Sequence, residues 1–97
     1  MLADMYTELE AARTLTWHAC RCAQAGIHDM RLFSAAKCFA ADVGMRVTEN
    51  AVQIMGGNGY SREYPVEKRM RDAKLFQIFE GTNQIQRMVI ASDILHS

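Results

Sequence analysis

The spacing of the apolar residues constrains this chain more than any other feature. From residue 2 to residue 25, apolar or small side chains recur at steps of three and four, which is the period of an α-helix with one apolar face. This first stripe consists of Leu2, Met5, Leu9, Ala12, Thr16, Ala19 and Ala23. Gly26 follows the stripe, and glycine often ends helices because it readily adopts the left-handed conformation. The spacing therefore predicts a helix over 2–25.

The same period returns near Asp29 and continues to Met55. The second stripe consists of Leu32, Ala36, Phe39, Ala40, Val43, Val47, Ala51 and Ile54. It stops at residues 56–59, where three glycines and an asparagine form a strong turn signal. We therefore predict a second long helix that ends at this turn.

Two shorter helices are predicted in the remaining part of the chain. The third begins after Tyr64 and Pro65, because proline is tolerated at the first position of a helix. The last follows an interruption at 80–83, and Thr82 or Asn83 is its predicted cap. The predicted apolar sides are Val66, Met70, Ala73 and Gln77 in the third helix, and Ile85, Met88, Val89, Ser92 and Leu95 in the last.

Composition supports an all-α fold, an antiparallel helix bundle. The 97 residues allow one small domain, and one proline and six glycines are too few for the turns of a β-sandwich or barrel. Two long helices and two short ones do not cover all their apolar faces. We therefore expect a bundle that is completed by another copy, or a piece of a larger protein.

The charges and cysteines narrow the possible functions. Eleven basic and eleven acidic residues balance, which gives no indication of a nucleic-acid or anionic membrane surface. No apolar run reaches the roughly 18 residues of a membrane span, and the acidic start is unlike a signal peptide. The three cysteines indicate no disulfide framework and favour a reducing compartment. His18, Cys20 and Cys22 do not share one helix face, so we predict no metal site.

Two breaks between predicted helices are candidate sites. The turn at Gln53–Gly59 offers backbone N–H groups to a phosphate, although it lacks the dinucleotide-binding fingerprint, and a simple helix cap is the alternative. In Phe79–Gln84, Glu80 stands beside an aromatic residue and a glycine, an environment that suits a general base. The alternative is a surface carboxylate near a helix start. The mixed-charge run Glu67–Lys74 is interpreted as a solvated helix face with pairs such as Glu67–Arg71.

Four motifs in this order closely resemble the C-terminal signature of acyl-CoA dehydrogenases. They are AVQIMGGNGY at 51–60, EYPVEK at 63–68, MRDAK at 70–74 and FEGTNQIQR at 79–87. The resemblance covers essentially the whole chain and implies FAD-dependent α,β-desaturation of acyl-CoA thioesters. It implies that Glu80 is the base that removes the α proton, and that Gly81 lies beside the bound thioester. The implied FAD contacts are Thr82, Asn83 and Gln84, and, toward the FAD of a neighbouring subunit, Gln53, Ile54, Met55, Gly56 and Gly57.

The resemblance also implies the wider context of the chain. Glu80 in this loop is typical of medium- and short-chain members of the family. Residues 1–97 correspond to part of the C-terminal bundle without its first helix, so we expect the isolated chain to be inactive. The implied partners are an electron-transfer flavoprotein and further copies of the chain, in the bacterial cytoplasm or the mitochondrial matrix. The alternative function is a non-catalytic helical oligomerisation module.

Overall fold

The computed structural model describes residues 1–96, which form five α-helices. They are α1 (Leu2–Gln24), α2 (Met30–Met55), α3 (Gly57–Tyr60), α4 (Val66–Ile78) and α5 (Asn83–Leu95). No strand occurs among these residues. The all-α helix-bundle prediction is confirmed, and the four predicted helices lie within a residue or two of their expected bounds. The short helix α3 was not predicted.

Local capping explains where the helices begin and end. The Asp29 side chain accepts a hydrogen bond of 3.0 Å from the Leu32 amide at the start of α2. Thr82 does the same for α5, with its hydroxyl oxygen 3.2 Å from the Ile85 amide. Gly26 follows α1 with a φ of 77°, as the predicted helix stop requires.

Helix α2 is the centre of the molecule, because α1, α4 and α5 each pack mainly against it. The resulting shape is elongated, with extents of 48 × 22 × 21 Å. Its radius of gyration is 15.4 Å, whereas a compact domain of about 100 residues has roughly 13 Å. In the described part of the chain, no helix is both long enough and apolar enough to cross a membrane.

The buried core is made mostly of small side chains. Its apolar members are Ala12, Ala19, Ala36, Cys38, Ala41, Val43 and Ala73. Nineteen large apolar side chains are exposed instead, among them Trp17 at 59% and Leu95 at 80%. The helices approach closely through alanines, but they leave most of the large apolar side chains uncovered.

The predicted apolar faces of α1 and α5 are only partly correct. In α1, Ala12 and Ala19 are buried as predicted, but Leu9 and Thr16 are exposed. In α5, the predicted stripe of Ile85, Met88, Ser92 and Leu95 is exposed, and only Val89 is half-buried. Helix α5 contacts α2 through polar groups near both of its ends, through Asn83 at its start and through Asp93, which pairs with Arg31 at 2.8 Å, near its end.

Candidate active site

The loop between α4 and α5 has an unusual backbone at the predicted base. Glu80 has a φ of 53° and is the one non-glycine residue of 1–96 with a positive φ. Gly81 follows with a φ of 84°. The left-handed region costs an L-residue roughly 1–2 kcal/mol, so neighbouring contacts must hold the turn. The Glu80 side chain is exposed.

Two side chains bind the consecutive carbonyl groups of this turn. The Gln86 side-chain amide donates to the Glu80 carbonyl at 3.0 Å. The Lys37 ammonium group donates to the Gly81 carbonyl at 2.8 Å. A Cβ atom on Gly81 would lie 2.9 Å from Gln86 Nε2, so glycine also leaves room for the Gln86 side chain. The carboxyl group of Glu80 itself has no hydrogen bond or ion pair to any residue in 1–96, and the residue is exposed.

Asn83 connects this turn to α2. It is 3% exposed, and its Oδ1 atom accepts a hydrogen bond from Lys37 Nζ at 2.7 Å. Its Nδ2 group donates to Asp42 Oδ1 at 2.6 Å and to the Cys38 carbonyl at 3.2 Å. All hydrogen bonds of the Asn83 side chain are therefore made with residues of α2.

Asp42 is the centre of the cluster. Its Oδ1 atom also accepts a hydrogen bond from Gln77 Nε2 at 2.8 Å, and Oδ2 forms an ion pair with the Arg87 guanidinium group. Burial opposes ionisation of this carboxyl group, but the hydrogen bonds from Arg87, Gln77 and Asn83 outweigh it, so the pKa of Asp42 lies below its usual value. One carboxylate thus links α2 to both α4 and α5.

The second predicted site lies at the C-terminal end of α2. Residues Gln53 to Gly57 are all exposed. Gly56 has a φ of 64°, and a Cβ atom on Gly56 or Gly57 would meet nothing within 4 Å. The backbone there is open to solvent or to a ligand. Gly59 is different, because it is buried against Val52.

The two predicted sites are not brought together within one chain. Lys37, which holds the Glu80 turn, and Gln53 are sixteen residues apart on α2, which corresponds to about 24 Å at the rise of an α-helix. The structure therefore places Glu80, Gly81, Thr82, Asn83 and Gln84 in one group. It places Gln53, Ile54, Met55, Gly56 and Gly57 in another, at a distant end of the same helix.

The remaining titratable clusters have simple roles. The ion pair of Arg71 and Glu67, at 2.7 Å, confirms the predicted pairing along α4. Burial raises the pKa of the Cys38 thiol, so this cysteine stays protonated at neutral pH and is a packing residue. Across the described part of the chain, no three His, Cys, Asp or Glu side chains are grouped in a way that could hold a metal ion.

A family model for the acyl-CoA dehydrogenase C-terminal domain matches residues 1–95. The chain belongs to the acyl-CoA dehydrogenase family.

Individual relatives agree with this assignment. The chain is 54% identical over 96 residues to the probable acyl-CoA dehydrogenase FadE25 of Mycobacterium tuberculosis, covering 98% of this chain and 25% of that protein. The solved structure of butyryl-CoA dehydrogenase from Megasphaera elsdenii has a TM-score of 0.94 and 52% identity, over 97% of this chain and 24% of that one. A structure reported for the electron transferring flavoprotein of Acidaminococcus fermentans contains a chain with a TM-score of 0.96 and 49% identity, over 100% of this chain and 26% of that one. The chain thus spans about a quarter of the length of these acyl-CoA dehydrogenase relatives.

The residues that hold the Glu80 turn and the start of α5 in this acyl-CoA dehydrogenase domain were not predicted from the sequence. They are Lys37, Asp42, Gln77, Gln86 and Arg87. One signal was present in the sequence, because Lys37 and Asp42 interrupt a run of small and apolar residues in the middle of α2. A charged residue in a buried helix face generally has a partner. The partners themselves lie on helices 35 to 46 residues away in sequence.

Proposed function

We propose that the chain is the C-terminal helical domain of an FAD-dependent acyl-CoA dehydrogenase, and that it supplies the base of the reaction. In this proposal residues 1–97 form part of the bundle, and Glu80 removes the α proton of an acyl-CoA thioester. The substrate class is straight-chain acyl-CoA of the short- and medium-chain type. Family membership supports the reaction, and the motif position of Glu80 supports the substrate class.

The free carboxylate of Glu80 is the observation that carries the proposal. A general base must have an unoccupied oxygen that reaches the proton. The other carboxylate of the cluster, Asp42, is already paired with Arg87. Glu80 instead lies in a turn whose backbone carbonyl groups are hydrogen-bonded, while its own side chain has no partner in residues 1–96. Gly81 beside it lets the backbone approach the thioester closely.

The residues at both predicted cofactor contacts fit a flavin dinucleotide. Gln53 and Gln84 are exposed amides that can donate and accept hydrogen bonds, and the open backbone at Gly56 and Gly57 lets a large ligand approach. FAD, when bound, accepts the hydride that leaves the β carbon. Thr82 caps α5 with its hydroxyl group, and the buried Asn83 fixes the start of α5, between Thr82 and Gln84, against α2.

The distance between the two predicted contacts supports an oligomeric enzyme. Gln53–Gly57 is too far from Glu80 to serve the same active site. In the proposed assembly it would contact the FAD of a neighbouring subunit, while Thr82 and Gln84 would contact the FAD beside their own Glu80, with the buried Asn83 holding the segment against α2. The electrons leave to an electron-transfer flavoprotein, a proposal that accords with the chain of similar structure in the work on the Acidaminococcus fermentans protein.

The substitution Glu80→Gln in a full-length protein with this sequence tests the proposal. Gln keeps the shape of the side chain but accepts no α proton, so flavin reduction by acyl-CoA should fall by about 10²–10⁴-fold while FAD stays bound. Glu49→Gln is the matched control, because Glu49 is an exposed glutamate on α2. Full flavin reduction in the Glu80→Gln protein would show that another residue is the base.

A second candidate function is a non-catalytic oligomerisation module. The exposed apolar side chains of α1 and α5 support it, since contiguous apolar surface commonly marks an interface. The two functions make opposite predictions for the same protein: a pure assembly module in its full-length context would form oligomers with no acyl-CoA-dependent flavin reduction.

A further inference from the structure

We propose that Lys37 and Gln86 are positioning residues that clamp the Glu80 turn and thereby present its carboxylate to the substrate. The inference rests on the proposed role of Glu80 as the base. It concerns two residues that lie outside both predicted cofactor strips, although Lys37 also donates a hydrogen bond to Asn83 in one of them. Their side chains bind the carbonyl groups of Glu80 and Gly81, which are consecutive in the chain.

The clamp fixes the two peptide planes that flank Gly81. Gln86 holds the plane between Glu80 and Gly81 from α5, and Lys37 holds the next plane from α2. On the N-terminal side of the turn, the peptide plane between Ile78 and Phe79 is anchored to α4, because the Phe79 amide donates to the Leu75 carbonyl at 2.9 Å. With the plane after Glu80 held by Gln86 and the chain anchored one residue earlier at the Phe79 amide, Glu80 is kept in a left-handed conformation that it would otherwise leave. Three helices thus determine the direction of one side chain.

The ammonium group of Lys37 is occupied by two acceptors of this segment. It donates to the Gly81 carbonyl and to Asn83 Oδ1. Asn83 is in turn held by Asp42. The cluster therefore keeps the lysine occupied and leaves the Glu80 oxygens free to accept a proton.

The backbone of the 97-residue chain gives the first test. In a residue with positive φ, the amide proton lies unusually close to the α proton. Glu80 should therefore show a strong intraresidue nuclear Overhauser cross-peak between these two protons. We expect this cross-peak to weaken in Lys37→Met, in Gln86→Met and most in the double variant. Lys37→Arg keeps a donor and should retain it. Lys68→Met is the control, because Lys68 is an exposed lysine whose partner, Asp72, lies outside the cluster. Circular dichroism checks that every variant remains helical.

Turnover in a full-length holoenzyme with this sequence gives the second test. Misplacing the base should lower kcat by about 10–100-fold in the double variant. KM and the amount of bound FAD should stay near the values of the unsubstituted protein. Lys37→Arg should retain part of kcat. A retained cross-peak, or unchanged kcat, in a folded double variant would overturn the clamp. Measuring Glu80→Gln in parallel separates the clamp hypothesis from the hypothesis that Glu80 is the base. Activity that survives Glu80→Gln would refute the role of Glu80 as the base, whereas loss of the cross-peak in the double variant would still support the clamp.

Discussion

Asp42 is the residue on which the local structure of the site depends. It is a largely buried carboxylate that receives hydrogen bonds from two neighbouring helices, through Gln77 on α4 and Asn83 and Arg87 on α5. A buried charge is tolerated only when it is paired and hydrogen-bonded, and Asp42 meets both conditions. Its loss would release Asn83, and with it the Lys37 side chain that holds Gly81.

Replacing Asp42 by Asn should lower stability at neutral pH. The variant keeps one acceptor but loses the charge that pairs with Arg87, so we expect its free energy of unfolding to fall by about 1–2 kcal/mol. The pKa of Asp42 is lowered in the folded state, so its stabilising effect is present above the unfolded pKa of about 4 and is lost as the pH falls through the lower folded value.

Denaturant unfolding of both proteins between neutral and acidic pH measures this difference. The gap in stability between the original chain and Asp42→Asn should close as the pH falls below about 4. Asp72→Asn is the control, because Asp72 forms an exposed pair with Lys68, and exposed pairs contribute little. A gap that is constant with pH would contradict the assigned role of Asp42.

Among the helices, α3 shows how a glycine allows close packing, because Gly59 brings α3 against the end of α2. Gly59 is buried in this short helix, and a Cβ atom there would lie 2.5 Å from the Val52 carbonyl oxygen and 3.0 Å from Met55 Cβ. Helix α3 therefore packs on the end of α2 only because residue 59 has no side chain. This contact fixes the path of the chain beside the predicted cofactor strip Gln53–Gly57.

The substitution Gly59→Ala should consequently destabilise the fold. The methyl group meets backbone atoms that cannot move without shifting a helix, so we expect a loss of about 1–3 kcal/mol, measured from the midpoint of denaturant unfolding. Gly57→Ala is the matched control two residues away, since a Cβ there meets nothing within 4 Å. Equal midpoints for the two variants would show that α3 is not packed as described.

The sequence predicted the elements well and their contacts less well. Helix bounds depend on local signals such as the Asp29 and Thr82 caps, and those signals are read directly from neighbouring residues. The predicted buried face of α5 was wrong because the orientation of this helix depends on Asn83. The partners of this polar residue, Lys37 and Asp42, are more than 40 residues away in sequence. The motif position of Glu80 came from the family resemblance, whereas its left-handed backbone and its clamp required the structure.

At the scale of the whole molecule, the exposed apolar surface is the dominant feature. Trp17, Leu9 and Leu2 lie uncovered along α1, and Ile85 and Met88 lie uncovered on α5. Helices of a stable bundle normally bury such faces against further helices. The elongated shape and the alanine-rich core are what we expect of a bundle that is completed by other protein surface.

The isolated chain should therefore self-associate, at least to a dimer. Sedimentation at concentrations on the order of tens of micromolar measures this, because association buries apolar area that otherwise faces water. Replacing Trp17 by a charged residue should weaken the association without changing helical content. A single monomeric species at these concentrations would contradict the expectation.

We propose that the exposed Glu80, on a turn held by Lys37 and Gln86, removes the α proton of an acyl-CoA thioester. Hydrogen exchange at the α carbon tests it most directly. In deuterated water, a full-length holoenzyme with this sequence should exchange the α hydrogen of a bound acyl-CoA for deuterium, and Glu49→Gln should do the same. Glu80→Gln should slow the exchange by about 10²–10⁴-fold. Exchange at the original rate in Glu80→Gln would contradict the claim.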